Sequence, residues 1–171
     1  MVRQIIIIVA VAAVCGVGLN LVSPAKIDFI GKYRSLSSGD APVVPPAAET
    51  GDPPFISVDV AEMEFSNYEV IFIDSREPEE FKCGTIPGSI NIPFDYLPEG
   101  DLTPYIDSCL GGLPRDHHLI IFCSGEECDL SLYLGRNLQQ IGYTNISIFY
   151  GGWREWQKYG LSEERRQPCE G

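Results

Sequence analysis

Cys123 and Cys128 are the residues whose chemical type and spacing indicate chemistry most directly. Cys123 follows an apolar run at residues 119–122, and Cys128 closes the short segment after it. A cysteine thiolate is a nucleophile, and a second thiol nearby can attack an oxidised or sulfur-loaded cysteine and close a disulfide. The pair predicts nucleophilic sulfur chemistry at Cys123, with Cys128 as a candidate resolving thiol. The plainer interpretations, a buried structural cysteine at 123 and an inward-packed one at 128, stay open.

Three continuous apolar runs predict the strands that position Cys123. They lie at residues 70–73, 119–122 and 146–150, and such runs are typical of parallel strands covered on both faces. In open α/β sheets, functional sites gather beyond the carboxyl ends of strands, which is where Cys123 stands. A helix predicted over residues 129–141 starts shortly afterwards. Backbone N–H groups of the loop and of the helix start favour an anion there, whether thiolate or persulfide.

Shorter segments complete the predicted domain. Residues 56–58 and 89–92 predict two more strands, and residues 77–82 and 153–159 predict two short helices. The sum is an α/β domain over residues 55–171, with a central parallel five-stranded sheet flanked by helices. A segment of this length can bury one compact core.

The N-terminal residues 1–22 predict a transmembrane helix. Residues 5–22 form an apolar run whose length is near the lower limit for spanning a bilayer. A retained single-pass anchor is expected rather than a cleaved signal peptide, because the small-residue cleavage pattern is poor. Residues 23–54 follow as a proline- and serine-rich linker. We expect the domain on the periplasmic side of the cell inner membrane, although basic residues after the span leave the orientation open.

Charge and composition exclude some partners. The formal net charge is −12, and the acidic excess lies entirely beyond residue 54, in the predicted domain. Such a domain repels phosphate backbones, so no nucleic-acid partner is expected. No second pair of ligands with suitable spacing accompanies Cys123 and Cys128, so neither a metal site nor a cofactor is predicted.

Four motifs, in order along the chain, resemble the signatures of rhodanese domains. They are residues 72–81 (FIDSREPEEF), residues 84–93 (GTIPGSINIP), Cys123 at the position of the family's catalytic cysteine, and residues 151–156 (GGWREW). The resemblance implies a parallel sheet flanked by helices and a cysteine that carries sulfur as a persulfide. It also implies a sulfur donor and a thiol acceptor, small molecule or protein, as partners. Membrane-tethered bacterial rhodaneses with a cysteine late in the active loop look most similar.

The predicted active-site loop departs from the family pattern. It consists of Ser124, Gly125, Glu126, Glu127 and Cys128. Glycine is frequent where this chain has Glu126, and arginine where it has Cys128. The loop therefore contains no cation, and its carboxylates would repel an anionic donor such as thiosulfate. A phosphatase or arsenate reductase on this fold would require the missing arginine to bind its oxyanion.

Several polar side chains lie near strand ends. Asp74 and Arg76 follow a neighbouring predicted strand and either face the loop or hold loops together by hydrogen bonds and an ion pair, the favoured interpretation. Thr85 stands where family members often have a histidine. His117 and His118 precede the strand of Cys123 at its opposite end and are expected on the surface.

Three functions remain open from the sequence. The favoured one is a rhodanese-like sulfurtransferase or persulfide carrier, with Cys123 as nucleophile and the loop amides stabilising the charge of the bound sulfur. The second is a thiol–disulfide redox protein that uses Cys123 and Cys128. The third is a catalytically silent rhodanese-fold binding module at the membrane, which the presence of the cysteine disfavours.

Overall fold

The computed structural model describes residues 4–5 and 41–167. The chain divides into two compact units, Met1–Ser35 and Leu36–Gly171. Of the first unit only residues 4–5 are described, and they are helical. Over the described residues, no helix has both the length and the apolar character needed to cross a membrane. The predicted anchor, apart from residues 4–5, and the first part of the predicted linker lie outside the described residues.

Four parallel strands form one sheet in the order β2-β1-β3-β4. Their bounds are Val70–Asp74 (β1), Ile90–Asn91 (β2), His118–Phe122 (β3) and Ile146–Phe149 (β4). The three longer strands begin and end within one residue of the apolar runs that predict them. The prediction of an α/β domain with a parallel sheet is therefore confirmed.

The predicted fifth strand at residues 56–58 is wrong, since the sheet in the described part of the chain has four strands. Phe55 makes only one isolated parallel bridge, to Ile148. Helix α1, Val58–Phe65, then begins at once. Ser57 explains the change, because it caps the helix by accepting a hydrogen bond from the amide of Val60 on its hydroxyl, at 3.5 Å.

Helices cover both faces of the sheet. Beyond α1 they are α2 (Pro78–Cys83), α3 (Thr103–Cys109), α4 (Leu130–Gln140) and α5 (Gly152–Lys158), with a short 3-10 helix at Phe94–Tyr96. The predictions of α2, α4 and α5 are confirmed to within one residue at each end. The sequence analysis missed α1 and α3, both of which are short.

The core consists of two clusters, one on each face of the sheet. In β3, Leu119 and Ile121 belong to the first cluster, whereas Ile120 and Phe122 belong to the second. Helices α3 and α4 pack into the first cluster, and α1 and α5 into the second. All four of these β3 side chains are fully buried. Burial on both faces is the reason that the strand is apolar throughout.

Residues 41–54, the described end of the predicted linker, lie against the domain. Val43 is buried in the first core cluster. Arg136 of α4 donates from Nε to Asp52 Oδ1 at 2.7 Å and from Nη2 to the carbonyl oxygen of Ala47 at 2.9 Å. This stretch therefore contributes apolar and ionic contacts to the domain, which its proline-rich composition did not predict.

Candidate active site

Strands β1 and β3 lie side by side and end level with each other. Their register pairs Asp74 with Phe122. Ser75 donates both its amide, at 3.0 Å, and its hydroxyl, at 2.9 Å, to the carbonyl oxygen of Phe122. The residues that follow the two strands, Arg76 and Cys123 among them, consequently emerge at the same edge of the sheet, the edge at which parallel α/β folds place their sites.

Cys123 and Cys128 are joined by a disulfide. Their Cα atoms are 6.2 Å apart, within the usual range for disulfides. Cys123 is fully buried, whereas Cys128 is partly exposed. A turn supports this arrangement, because the amide of Cys128 donates to the carbonyl oxygen of Gly125 at 2.9 Å. The structure thus brings together the two sulfur atoms that the sequence singles out, with the loop in its oxidised form.

The start of α5 holds the beginning of the loop. The amide of Trp153 donates to the carbonyl oxygen of Cys123 at 2.8 Å, and that of Arg154 donates to the carbonyl oxygen of Ser124 at 3.0 Å. Gly152 permits this approach, since its φ is +61° and a Cβ there would collide with the Cys123 carbonyl oxygen and lie 3.0 Å from the Gly125 amide nitrogen. Gly152 therefore allows α5 to approach the loop closely.

The other loop amides are available to a bound anion. Within the described part of the chain, the backbone N–H groups of Ser124, Gly125, Glu126 and Glu127 donate to no protein acceptor. Successive unpaired N–H groups in a turn favour anions. The loop therefore has backbone donors that no acceptor among the described residues occupies.

Asp74 and Arg76 form a buried cluster beside the loop. Arg76 donates from Nε to Asp74 Oδ1 at 2.9 Å and from Nη2 to the carbonyl oxygen of Gly84 at 2.7 Å. Thr85 donates from Oγ1 to Asp74 Oδ2 at 2.8 Å. The Arg76 guanidinium also lies over the ring of Trp153, 5.3 Å from its centroid. Both charges are thus engaged in holding the chain after β1 and α2, and Thr85 belongs to this cluster.

Glu80 connects the buried cluster to the loop. Ser124 donates from Oγ to Glu80 Oε1 at 3.3 Å, and the same oxygen lies 4.0 Å from Nη1 of Arg76. A cavity of about 360 Å³ borders this contact, and its walls include Arg76, Glu80, Cys83 and Trp153. Cys123 is not part of its lining, so the cavity adjoins the loop without reaching the buried sulfur.

The carboxylates near the loop have different surroundings. Glu126 and Glu127 are partly or fully exposed, whereas Asp129 accepts a hydrogen bond from the Tyr150 hydroxyl at 2.7 Å. Burial raises the pKa of Tyr150 above its ordinary value, and the hydrogen bond to Asp129 and the charge of Glu126 add to the effect. Tyr150 therefore stays a neutral donor to Asp129 at physiological pH.

Arg154 is the functional candidate that the sequence analysis missed. A Cβ built on Gly125 would lie 3.6 Å from both Cβ and Cδ of Arg154, so the stem of this side chain lies against the loop. The side chain is exposed. A cation therefore stands beside the loop although the loop itself contains none. Its position directly after the Gly-Gly-Trp motif was the available signal, because α5 starts at the sheet edge where Cys123 lies.

The remaining candidates lie away from the loop. His117 and His118 border a cavity of about 430 Å³ at the opposite end of β3, together with Asn67 and Glu69 of the chain before β1. His118 Nε2 pairs with Ser147 Oγ at 3.1 Å. Among the described residues, no group of three or more His, Cys, Asp or Glu side chains is placed to hold a metal ion.

Fold and site together define an α/β domain with a buried, disulfide-bonded cysteine at the carboxyl end of a central parallel strand. The chain matches the rhodanese-like domain family over residues 57–159 and belongs to that family. The resemblance seen in the four motifs is therefore confirmed.

Relatives and solved structures agree with this assignment. The human thiosulfate:glutathione sulfurtransferase is 35% identical, with 48% of this chain and 75% of the relative aligned. A mouse thiosulfate sulfurtransferase/rhodanese-like domain-containing protein is 31% identical over 58% of this chain and 65% of its own length, slightly under two thirds. The fold of a human single-domain sulfurtransferase matches with a TM-score of 0.52 and 24% identity, over 63% of this chain and 97% of that one.

Proposed function

We propose that the domain is a sulfurtransferase or persulfide carrier that uses Cys123 as its nucleophile. The observation that carries this proposal is the position of Cys123, which is buried at the carboxyl end of the central strand β3 and followed by a loop whose amides donate to no acceptor among the described residues. The names of two relatives support the reaction class. The human relative is a thiosulfate:glutathione sulfurtransferase, and the mouse relative is a thiosulfate sulfurtransferase/rhodanese-like domain-containing protein.

The reaction starts from the reduced loop. The Cys123 thiolate attacks the outer sulfur of a donor, an S–S bond forms, and the donor leaves with the electron pair of its broken bond. The charge of the resulting persulfide resides on its outer sulfur, where the N–H groups of residues 124–127 stabilise it. An acceptor thiolate then attacks that outer sulfur and returns Cys123 to the thiolate. The hydrogen bonds from α5 keep the loop backbone in place throughout.

The charges around the loop favour a donor that is not a small dianion. Glu126 and Glu127 add negative charge on the loop, and Asp129 is only one residue beyond it. The stem of Arg154 lies against the loop at Gly125, so one exposed cation accompanies these carboxylates. A neutral or zwitterionic persulfide approaches such a site with less repulsion than thiosulfate does.

A second function is favoured by the disulfide between Cys123 and Cys128. A pair that opens and closes reversibly would exchange electrons with thiols of other molecules, as thiol–disulfide redox proteins do. This function requires no sulfur transfer. It predicts that a dithiol opens the disulfide and that a disulfide partner closes it again.

We further propose that residues 5–22 anchor the chain in the cell inner membrane as a single retained span, with the domain on the periplasmic side. The proposal depends on the apolar run in the sequence, most of which lies outside the described residues. Alkaline extraction of membranes tests it, because an integral protein stays in the pellet. Recovery in the supernatant of a mature chain that begins near Ser23 would show a cleaved signal peptide instead.

Mass spectrometry of the sulfur-loaded protein tests the proposed function. The reduced full-length Cys128→Ser variant, which lacks the second thiol of the loop, is treated with cysteine persulfide, and peptide mapping is expected to place one added sulfur atom on Cys123. Cys123→Ser should abolish the adduct without unfolding the domain, because the substitution is nearly isosteric. Cys109→Ser is the matched control, since Cys109 packs against the first core cluster. An adduct that persists in Cys123→Ser contradicts the assignment.

A further inference from the structure

The bond between Cys123 and Cys128 joins the two γ-sulfurs of a loop that connects a regular strand to a regular helix. Strand β3 ends at Phe122 and helix α4 begins at Leu130, and both keep their regular hydrogen bonding while the disulfide is closed. The turn bond from the Cys128 amide to the Gly125 carbonyl oxygen, 2.9 Å long, sets this approach. Cys128 is therefore positioned to attack Cys123 at its inner sulfur.

We infer that Cys128 cleaves the persulfide formed on Cys123 and releases its outer sulfur as hydrosulfide, so that the domain acts as a persulfide reductase. This inference rests on the proposed function, because it requires a persulfide on Cys123. The substrate class is a low-molecular-weight or protein persulfide, and the second substrate is a thiol reductant.

The step is balanced in atoms and electrons. The Cys128 sulfur attacks Sγ of Cys123, the bond between the two cysteine sulfurs forms, and the bond to the outer sulfur breaks. The outer sulfur leaves with the electron pair of that bond and takes up the Cys128 proton, which gives hydrosulfide. The two cysteine sulfurs are oxidised to the disulfide and the outer sulfur is reduced. Two reductant thiols then reopen the disulfide and become a disulfide themselves.

The burial of Cys123 distinguishes hydrosulfide release by Cys128 from sulfur transfer to an external thiol. Cys123 is 0% exposed, so a thiol from solution meets the outer sulfur of its persulfide before the inner one. Attack on the outer sulfur moves that sulfur to the acceptor, whereas attack on the inner sulfur expels it. Cys128 forms its disulfide with Sγ of Cys123, which is the inner sulfur of the persulfide. The loop therefore contains an arrangement that can release hydrosulfide without an acceptor for the outer sulfur.

The negative charges of the loop also favour the release of hydrosulfide. Hydrosulfide is an anion, and Glu126 and Glu127 lie between the two cysteines in the chain. Their repulsion favours departure of the product from the site. Partial exposure of Cys128 leaves the disulfide accessible to a reductant from the solvent side.

A single-turnover experiment on the full-length protein tests this inference. The detergent-solubilised protein is reduced, freed of reductant under anaerobic conditions and mixed with one equivalent of cysteine persulfide. Hydrosulfide is measured by a colorimetric assay, and the loop peptide is identified by mass. The wild-type chain should release about one hydrosulfide per chain and re-form the Cys123–Cys128 disulfide. Cys109→Ser should behave like the wild type.

The variants distinguish failure of this inference from failure of the proposed function. In Cys128→Ser, the Cys123 persulfide should accumulate and hydrosulfide release should fall more than about tenfold, because an intramolecular thiol acts at an effective concentration on the order of millimolar. Equal persulfide lifetimes in wild type and Cys128→Ser, or sulfur mapped to Cys128, overturn the persulfide reductase and leave the carrier function intact. Absence of any Cys123 adduct in Cys128→Ser overturns both.

Discussion

Trp153 donates its backbone N–H to the carbonyl oxygen of Cys123 across 2.8 Å. This hydrogen bond ties the first residue of the loop to the first turn of α5, so the conformation of the loop depends on a segment that follows the next strand. Gly152 directly precedes Trp153, faces the Cys123 carbonyl oxygen and adopts a left-handed backbone conformation. The backbone position of Cys123 therefore depends on the packing of α5 on the sheet.

Replacing Gly152 with alanine should damage both stability and the site. The added Cβ would collide with the Cys123 carbonyl oxygen, in addition to the strain of φ +61°. We expect a loss of more than about 2 kcal/mol in the free energy of unfolding, measured by urea denaturation, and slower loading of Cys123. Gly160→Ala is the matched control, because φ is +69° there with nothing within 4 Å. A cost no greater than that of the control would contradict the collision.

Removing the charge of Arg76 should destabilise the domain strongly. Arg76 and Asp74 are 3% and 0% exposed, so Arg76→Ala leaves a buried carboxylate without its cation. Breaking such a pair costs about 3–5 kcal/mol. Lys82→Ala serves as the control, since Lys82 forms an exposed ion pair with Glu79 and should change stability by less than about 1 kcal/mol. Thermal melting of both variants against the wild type measures the difference.

The end of the predicted linker should contribute to stability. Val43 is 4% exposed in the first core cluster, whereas its neighbour Val44 is 53% exposed. Val43→Ala should cost about 1–2 kcal/mol in the free energy of unfolding, and Val44→Ala should stay within about 0.5 kcal/mol of the wild type. Equal values for the two variants would show that this segment does not pack on the domain in solution.

Asp52 should add a pH-dependent contribution to stability. The hydrogen bonds from Arg136 lower the pKa of Asp52 from its ordinary value of 3.8. The folded state therefore releases this proton more readily than the unfolded state, so the contribution is complete above the ordinary pKa and is lost as pH falls through the folded-state pKa.

Urea denaturation at several pH values checks this contribution. The stability difference between wild type and Asp52→Asn should be constant near neutral pH and should shrink below about pH 4. In an Arg136→Met background, Asp52→Asn should change stability little at any of these pH values. A difference that grows as the pH falls has the wrong sign for the lowered pKa.

Thiosulfate should be a poor sulfur donor unless the loop charge is reduced. Glu126→Gln should raise thiosulfate turnover by about two- to tenfold, since one repulsive charge near the nucleophile is removed. Glu69→Gln is the control, because Glu69 borders the cavity at the opposite end of the sheet. Added salt should raise the wild-type rate by screening the same repulsion. Fast wild-type turnover that falls with salt would refute this electrostatic argument.

The sequence by itself determined the three longer strands and the position of Cys123 at the end of one of them. The runs at β1, β3 and β4 are mostly apolar because both faces of each strand are covered, and this requirement leaves a recognisable pattern in the chain. Cys123 follows one of these runs directly, so its position at the carboxyl end of a strand needed no knowledge of distant contacts. The family motifs identified the same residue.

Only the tertiary structure decided what short segments and single side chains do. Residues 56–58 suit a strand or a helix start, and the cap at Ser57 together with the sheet edge at Ile148 settled the choice. The contact of Arg76 with Trp153 and that of Arg154 with Gly125 join segments distant in sequence, so no local pattern predicts them. Cys128 meets Cys123 because a turn at Gly125 folds the loop back, and the spacing of two cysteines cannot specify that direction.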